Sequence, residues 1–188
     1  MQDVCVFCGS SAGKDPVFMA SAKALGEAIS LASMGLVYGG AEVGLMGQVA
    51  DAVLAGGQKV VGIIPHSFSE RVAHEGLTEL HVVDSMHTRK AMMFELSGAC
   101  IALPGGFGTL EELTEVLTWA QLEFHHKPIG LLNINGYYDA LLAFFDQAVL
   151  AGFIKPQHLE MLIVHHDPTE LLTRLKDYSP PKVTKWSH

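Results

Sequence analysis

Short runs of apolar, β-branched residues alternate along the chain with longer stretches in which apolar residues recur every three to four positions. The short runs are typical of buried strands and the longer stretches of amphipathic helices. The predicted strands are Val4–Cys8, Gly35–Tyr38, Val60–Ile64, His81–Val83, Cys100–Leu103, Ile129–Leu132 and Met161–Val164. The predicted helices are Pro16–Met34, Gly44–Ala55, His87–Ser97, Thr109–Phe124, Tyr137–Ala151 and Pro168–Tyr178.

This alternation of strands and helices predicts an α/β fold. Strands that are apolar on both faces and joined by helices form a mostly parallel sheet, so we expect a Rossmann-like, doubly wound sheet of about seven strands with helices on both faces. We expect one domain over residues 1–178 and a C-terminal tail over residues 179–188, because Pro180 and Pro181 stop the last helix. Trp186 is a candidate for docking that tail.

The composition and net charge of the chain argue against some classes of binding partner. The 188 residues include 12 Lys and Arg against 20 Asp and Glu, for a formal net charge of -8, and the scattered cations argue against a nucleic-acid partner. No apolar run approaches the roughly 18 residues that a membrane span needs, and the first residues show no secretory signal, so we expect no membrane partner and a cytoplasmic location. An odd number of cysteines, Cys5, Cys8 and Cys100, fits buried thiols in a reducing compartment better than disulfides.

Three predicted strands lead into turns that are rich in glycine. These turns contain Gly9 and Ser10, then Gly39 and Gly40, and then Pro104-Gly105-Gly106-Phe107-Gly108-Thr109. In a doubly wound sheet all three lie at the ligand-binding edge, where glycines permit close approach and the first N–H groups of a helix can hold an anion. A single such turn is equally consistent with tight packing, whereas three favour a ligand. No complete P-loop or G-x-G-x-x-G motif is present, so the pattern predicts a single phosphate on the amides and hydroxyl of Gly106–Thr109.

Two glutamates, Glu111 and Glu112, directly follow the third turn. Thr109 and Glu112 have the spacing of a capping box, in which the threonine caps a helix and the glutamate binds the threonine amide, so helix structure alone can explain them. The alternative is catalytic. A carboxylate beside a bound phosphate would face the attached sugar and stabilise the positive charge that develops when a ribosyl–base bond breaks.

Arg89 and Lys90 fall in the first turns of a predicted helix, behind Asp84 or Ser85 as a possible N-cap. Cations are disfavoured there by the helix dipole, so the pair indicates either an anionic partner or a solvated helix start. The planar guanidinium of Arg89 could bridge a phosphate or a ribose and the Glu112 carboxylate.

The paired histidines and methionines do not require a metal site or a ligand pocket to explain them. His125-His126 and His165-His166 lack acidic or thiol partners at ligand spacing, so we expect surface histidines and neither a metal site nor a cofactor. Met92-Met93 could line a base pocket, or it could belong to the core or to a subunit contact.

The stretches CVFCGSS, YGG followed by GLMG, MHTRKAMM and PGGFGTLEE occur in this order at spacings similar to those of the LOG (Lonely Guy) family. The resemblance covers about Val4 to Tyr178, and PGGxGTxxE with the preceding Arg-Lys pair is its most specific part. It implies a Rossmann-like homodimer that hydrolyses the N-glycosidic bond of a cytokinin riboside 5'-monophosphate, an N6-substituted AMP, to the free base and ribose 5-phosphate.

The resemblance also implies roles for individual residues. Arg89 and Glu112 match the catalytic pair by position, and Lys90, Gly106–Glu112 and Thr118 match substrate contacts. The candidate substrate-binding set, with the strand-end turns included, is Lys90, Gly105, Gly106, Phe107, Gly108, Thr109, Leu110, Glu111, Thr118, Gly9, Ser10, Gly39 and Gly40. The family usually has a glutamate in the loop after Ile63-Ile64-Pro65. The loop Pro65–Gly76 is a residue shorter here, which leaves open whether Glu70 takes that position.

Two other functions remain open at this point. One is a less selective AMP nucleosidase, and the other is a nucleotide-binding carrier or sensor in which Glu112 only caps a helix. Members of the family have also been called lysine decarboxylases, but no residue here marks a pyridoxal phosphate lysine.

Overall fold

The computed structural model describes residues 3–183, which form one sheet of seven strands. The strands are β1 (Asp3–Phe7), β2 (Gly35–Tyr38), β3 (Val60–Pro65), β4 (Glu79–Val83), β5 (Ala99–Ala102), β6 (Ile129–Leu132) and β7 (Leu162–His165). Their order across the sheet is β4-β3-β2-β1-β5-β6-β7, and every neighbouring pair is parallel. The prediction of a mostly parallel, doubly wound sheet of about seven strands is confirmed.

Helices cover both faces of this sheet. They are α1 (Pro16–Leu31), α2 (Gly44–Ala55), α3 (His66–Val72), α4 (Met86–Glu95), α5 (Phe107–Gln121), α6 (Asp139–Leu150), α7 (Pro156–Leu159) and α8 (Pro168–Lys176), with a 3-10 turn at Ile134–Gly136. Side chains alternate along β1, so that Val4 and Val6 belong to one apolar core and Cys5 and Phe7 to the other. The first core packs against α1, α2 and α8, and the second against α4, α5 and α6.

The sheet changes its winding direction at β1. The chain builds β2, β3 and β4 on one side of β1 and then crosses to build β5, β6 and β7 on the other side. The turns after β1 and β5 therefore diverge and leave a crevice between them, which is where open α/β sheets bind ligands. The Gly9 N–H donates to the Pro104 carbonyl at 3.0 Å, so the two turns lie side by side at the floor of the crevice.

The segment predicted as a loop, Pro65–Gly76, contains the helix α3. None of its seven side chains is buried, so the apolar periodicity that reveals the other helices is missing. Its end is tied to the turn after β2, because the Glu42 N–H donates to the Val72 carbonyl and the His74 N–H to the Gly40 carbonyl, both at 2.9 Å. The short helix α7 was also not predicted.

The last described residues, 179–183, have no regular secondary structure, and Val183 packs against the second core. The predicted docking of Trp186 lies outside the described residues. Within residues 3–183, no helix has the length and hydropathy needed to cross a membrane.

Candidate active site

Two adjoining cavities open at the crevice and share Ser10. The first, which we call the glycine lobe, has a volume of about 320 Å³ and lies between the turns after β1 and β5, with Phe18 and Tyr137 as an aromatic wall. The second, which we call the apolar lobe, has a volume of about 430 Å³. Its wall is mostly apolar, with Arg89 and Gly39 at one side, and includes Met46, Ile64, Pro65, Phe68, Val72 and Met86.

The turn after β5 lines the glycine lobe with Pro104, Gly105 and Gly106 and leads directly into the start of α5. Gly106 is the N-cap of α5, so the amides of the residues that follow have no carbonyl partner within the helix. A Cβ on Gly105 would lie 2.1 Å from the Thr109 hydroxyl oxygen and 2.9 Å from the Gly9 nitrogen. Only glycine allows this approach of the two turns, and the result is a helix N-terminus suited to an anion.

Arg89 and Glu112 are in contact beside this helix start. The Arg89 Nη1 donates to the Glu112 Oε1 at 2.9 Å, and the Arg89 Nε donates to the Ile63 carbonyl at 3.1 Å. The two side chains are only 11% and 8% exposed. A Cβ on Gly39 would lie 1.8 Å from the Arg89 Nη2, so Gly39 makes room for the guanidinium.

The capping-box explanation of Glu112 is wrong. The helix α5 begins two residues earlier than predicted, at Phe107, so Thr109 lies inside its first turn and Gly106 holds the N-cap position. The Glu112 carboxylate binds Arg89, which lies on α4 behind the predicted N-cap Ser85. Burial raises the pKa of Glu112 above its ordinary value, while the positive charge of Arg89 opposes that rise.

Lys90 is buried and bound by two carboxylates on α5. Its ammonium donates to Glu111 and, at 3.0 Å, to Glu115. Burial alone would lower the pKa of Lys90, but these hydrogen bonds more than offset it and the pKa is raised. The amine therefore stays protonated, which does not suit a nucleophile that forms a Schiff base. Sequence reasoning missed Glu115, although its position one turn after Glu111 could have indicated a shared partner.

The structure brings only part of the predicted substrate-binding set together. Gly9, Ser10, Gly105 and Gly106 line the glycine lobe, and Gly39 lines the apolar lobe. Phe107 and Gly108 are exposed at the start of α5, whereas Gly40 is buried with a φ of 75° and Leu110 packs against the second core.

Thr118 lies well away from both lobes. It is nine residues beyond Thr109, or about 14 Å along the axis of α5. It lines a separate groove with Gln121 and Phe145, and its hydroxyl donates to the Thr114 carbonyl at 2.7 Å. Glu70 is exposed on α3 and lines neither lobe.

The structure confirms the core alternative for Met93 and corrects the expected surface position of His125. Met93 belongs to the second core, and the methionines that line the apolar lobe are Met46 and Met86. His125 is buried rather than on the surface, and its Nε2 lies 2.9 Å from the Val116 carbonyl. The lining residues Phe18, Met46, Phe68, Met86 and Tyr137 were missed because apolar and aromatic side chains in a sequence are more often core than cavity wall.

Comparison with known proteins adds independent information. Residues 46–175 match a family model described as "Possible lysine decarboxylase". A probable cytokinin riboside 5'-monophosphate phosphoribohydrolase of Oryza sativa subsp. japonica is 52% identical over 179 residues, which is 95% of this chain and 73% of that protein. A cytokinin riboside 5'-monophosphate phosphoribohydrolase of Arabidopsis thaliana is 49% identical over 94% of this chain and 83% of that protein.

Solved structures support the same fold at lower sequence identity. A molybdenum cofactor binding protein from Rippkaea orientalis superposes with a TM-score of 0.71 at 21% identity, covering 94% of this chain and 97% of the other. The Moco carrier protein from Chlamydomonas reinhardtii gives a TM-score of 0.70 at 17% identity over 94% of this chain and 97% of that one. Similarity at this level establishes the architecture, and the function of the site must be argued from its residues.

Proposed function

The chain belongs to the LOG family of phosphoribohydrolases, and from that membership we propose that it hydrolyses the N-glycosidic bond of a nucleoside 5'-monophosphate to the free base and ribose 5-phosphate. The observation that supports this proposal is the contact between the partly buried Arg89 and the buried Glu112 beside the free amides at the start of α5. An anion site and a fixed carboxylate next to one another suit a phosphorylated sugar.

In our proposal the nucleotide lies across both lobes. The 5'-phosphate binds the amides of Gly106–Thr109, where a helix N-terminus favours negative charge. The ribose lies against Glu112 and Arg89, and the base enters the apolar lobe between Met46, Phe68 and Met86. A lobe of about 430 Å³ with a mostly apolar wall suits an adenine that carries an apolar N6 substituent.

Glu112 acts at the anomeric carbon. As the bond from C1' to the base breaks, positive charge develops on the ribose ring, and the fixed carboxylate stabilises it and positions a water molecule. The water adds its hydroxyl group to C1' as the bond to the base nitrogen breaks, and its remaining proton goes to the departing base. Arg89 holds the carboxylate in place and favours its ionised form, which is the form that stabilises the positive charge on the ribose ring.

Base release from two nucleotides tests the activity. We expect the protein to release the base from N6-isopentenyl-AMP, and a comparison with AMP separates a selective enzyme from a general AMP nucleosidase.

Glu112→Gln keeps an oxygen for Arg89 but removes the negative charge, so kcat should fall about 10²-fold or more while the melting temperature changes little. A variant that keeps more than a tenth of the wild-type rate removes Glu112 from the mechanism. Tight nucleotide binding without base release over hours would support a carrier or sensor instead.

We further propose that the protein is a cytoplasmic homodimer. Of the twelve residues of α6 only Phe145 is buried, while Phe144 and Leu150 are 61% and 89% exposed and Phe153, just beyond, is 84% exposed. A second copy over this face would also cover the groove that contains Thr118. Free thiols at Cys5 and Cys100, which are opposite one another on β1 and β5, favour a reducing compartment.

A further inference from the structure

Three consecutive carbonyls in the turn after β5 each accept a hydrogen bond from outside that turn. The Tyr138 hydroxyl donates to the Leu103 carbonyl at 2.6 Å, and the Tyr137 hydroxyl donates to the Gly105 carbonyl at 2.7 Å. The carbonyl between them, that of Pro104, accepts from the Gly9 N–H at 3.0 Å. Two neighbouring tyrosines that lie beyond β6 therefore fix the turn that begins the anion site.

The orientation of these carbonyls decides what a bound phosphate meets. In a trans peptide the C=O group and the following N–H group point in opposite directions, so the direction of the Gly105 carbonyl sets that of the Gly106 N–H. A carbonyl turned toward a phosphate would repel it, whereas an N–H donates to it. The peptide that joins Gly105 and Gly106 is the least constrained in the turn, because neither residue has a Cβ to restrict rotation.

Tyr137 is 45% exposed, and two ring contacts orient it. Its ring makes edge-to-face contacts with Phe18 at 5.5 Å and with Tyr138 at 4.8 Å between ring centroids. It follows a left-handed turn in which Asn135 has a φ of 54° and Gly136 a φ of 70°. The ring lies on the wall of the glycine lobe, and these contacts orient its hydroxyl toward the Gly105 carbonyl.

We propose that Tyr137 is a positioning residue that selects the anion-binding orientation of the Gly105–Gly106 peptide and so sets the affinity for the 5'-phosphate. The inference rests on the proposed function, because it assumes that a phosphorylated ribose binds at the start of α5. It assigns Tyr137 a role in phosphate binding and none in the cleavage step.

Tyr137→Phe removes the hydroxyl and keeps the ring contacts. Loss of one hydrogen bond that selects a conformation should weaken binding of the probe ribose 5-phosphate about 5- to 10-fold by calorimetry. The KM for N6-isopentenyl-AMP should rise by a similar factor, with kcat within about twofold, because phosphate binding is common to the ground and transition states. The kcat/KM for the corresponding nucleoside, which has no phosphate, should not change.

Two further variants complete the test. Phe18→Leu keeps the Tyr137 hydroxyl but removes an edge-to-face contact from the Tyr137 ring, so it should weaken ribose 5-phosphate binding by about two- to threefold. Tyr178→Phe removes a hydroxyl just beyond the end of α8, at the opposite edge of the sheet, and should match the wild type in every measurement.

Ribose 5-phosphate affinity of Tyr137→Phe within about twofold of the wild type would overturn the inference. An equal loss of activity on nucleoside and nucleotide would also overturn it, because it would show a general structural effect. A wild type that binds ribose 5-phosphate but releases no base would contradict the proposed function, and the binding comparison would still decide the role of Tyr137. A wild type that does not bind the probe contradicts both.

Discussion

At the scale of single residues, the site depends on how a buried carboxylate is kept ionised. Glu112 is almost completely removed from solvent, and burial raises the pKa of its carboxyl group. The guanidinium of Arg89 opposes that rise from 2.9 Å away, and the nearby carboxylate of Glu111 adds to it. The ammonium of Lys90 also lowers the pKa, so the ionisation of Glu112 is a balance between burial and three neighbouring charges.

The pH dependence of kcat/KM should report this balance. In the proposed mechanism the active form of Glu112 is the carboxylate, so activity should be lost as the pH falls through its pKa, and a raised pKa places this acid limb above the ordinary glutamate value of 4.5. Glu111→Gln removes a charge that raises the pKa of Glu112, so the limb should move to lower pH. The measurement is a profile of kcat/KM from about pH 4 to 9 in both proteins.

The substrate provides an internal control for that profile. A phosphate monoester has its second pKa near 6, so its own titration can produce a limb in the same range. A limb that comes from the substrate is identical in the two proteins, whereas a limb that comes from Glu112 moves. Coincident profiles would show that the ionisation of Glu112 does not control the rate.

At the scale of secondary-structure elements, the site is assembled from the ends of neighbouring strands and the starts of helices. The strand β2 ends at Tyr38, and the next residue is Gly39, whose missing side chain leaves the space that the guanidinium of Arg89 occupies. The strand β3 supplies the Ile63 carbonyl that binds the same guanidinium, and α5 supplies Glu112. The position of one arginine is thus set by three elements at once.

Gly39→Ala tests this arrangement. The new Cβ would lie 1.8 Å from the Arg89 Nη2, so the guanidinium must move away from Glu112. A displacement of about 1 Å in a catalytic constellation can cost about 10²-fold, and we expect kcat/KM to fall by that factor. Steady-state kinetics and a melting temperature on the same sample measure the effect.

Gly35→Ala is the matched control, because Gly35 begins the same strand at the opposite edge of the sheet. Its Cβ would lie 2.5 Å from the Asp3 Oδ1, which is a side-chain atom. We expect some loss of stability and no loss of kcat/KM. If both variants lost activity equally, the effect of Gly39→Ala would belong to the strand and not to Arg89.

The elements were predictable from the sequence where burial leaves a pattern. Runs such as Val60–Ile64 are apolar because the strand is covered on both faces, and they place the sheet without further information. The helix α3 escaped prediction because it buries no side chain. The start of α5 was misplaced because Thr109 and Glu112 have capping-box spacing, while the true N-cap is Gly106, which has no side chain to signal it.

The site was less accessible to sequence reasoning than the fold. Glycine turns indicated the binding edge, but the contact between Arg89 and Glu112 joins residues 23 positions apart and was anticipated through family resemblance as well as chemistry. Main-chain groups such as the Ile63 carbonyl that binds Arg89 have no sequence signature at all. The apolar walls, including Phe68 and Met86, could not be separated from core residues before the fold was known.

At the scale of the whole molecule, the exposed apolar face of α6 predicts that the protein is a dimer in solution. Sedimentation of the wild type should give twice the chain mass of 20.3 kDa at micromolar concentration, because large exposed apolar side chains are covered in a stable assembly. Phe144→Lys combined with Phe153→Lys places charges on this face and should return the mass of a single chain.

Leu31→Lys is the control for that experiment. Leu31 is 87% exposed at the end of α1, which packs against the other core, so the same kind of substitution there should leave the dimer intact. A wild type that sediments as a single chain, or a double variant that stays dimeric, would contradict the proposed use of the α6 face.

The helix α3 has a consequence for how this architecture diversifies. None of its side chains is fully buried, and only Val72 packs against the first core, yet Phe68 and Val72 form part of the wall of the apolar lobe. Mutations at exposed positions of this segment such as Phe68 should therefore reshape the apolar lobe while Arg89, Glu112 and the buried core stay unchanged. In this chain α3 thus offers positions at which the preference for a base could change with little loss of folding stability.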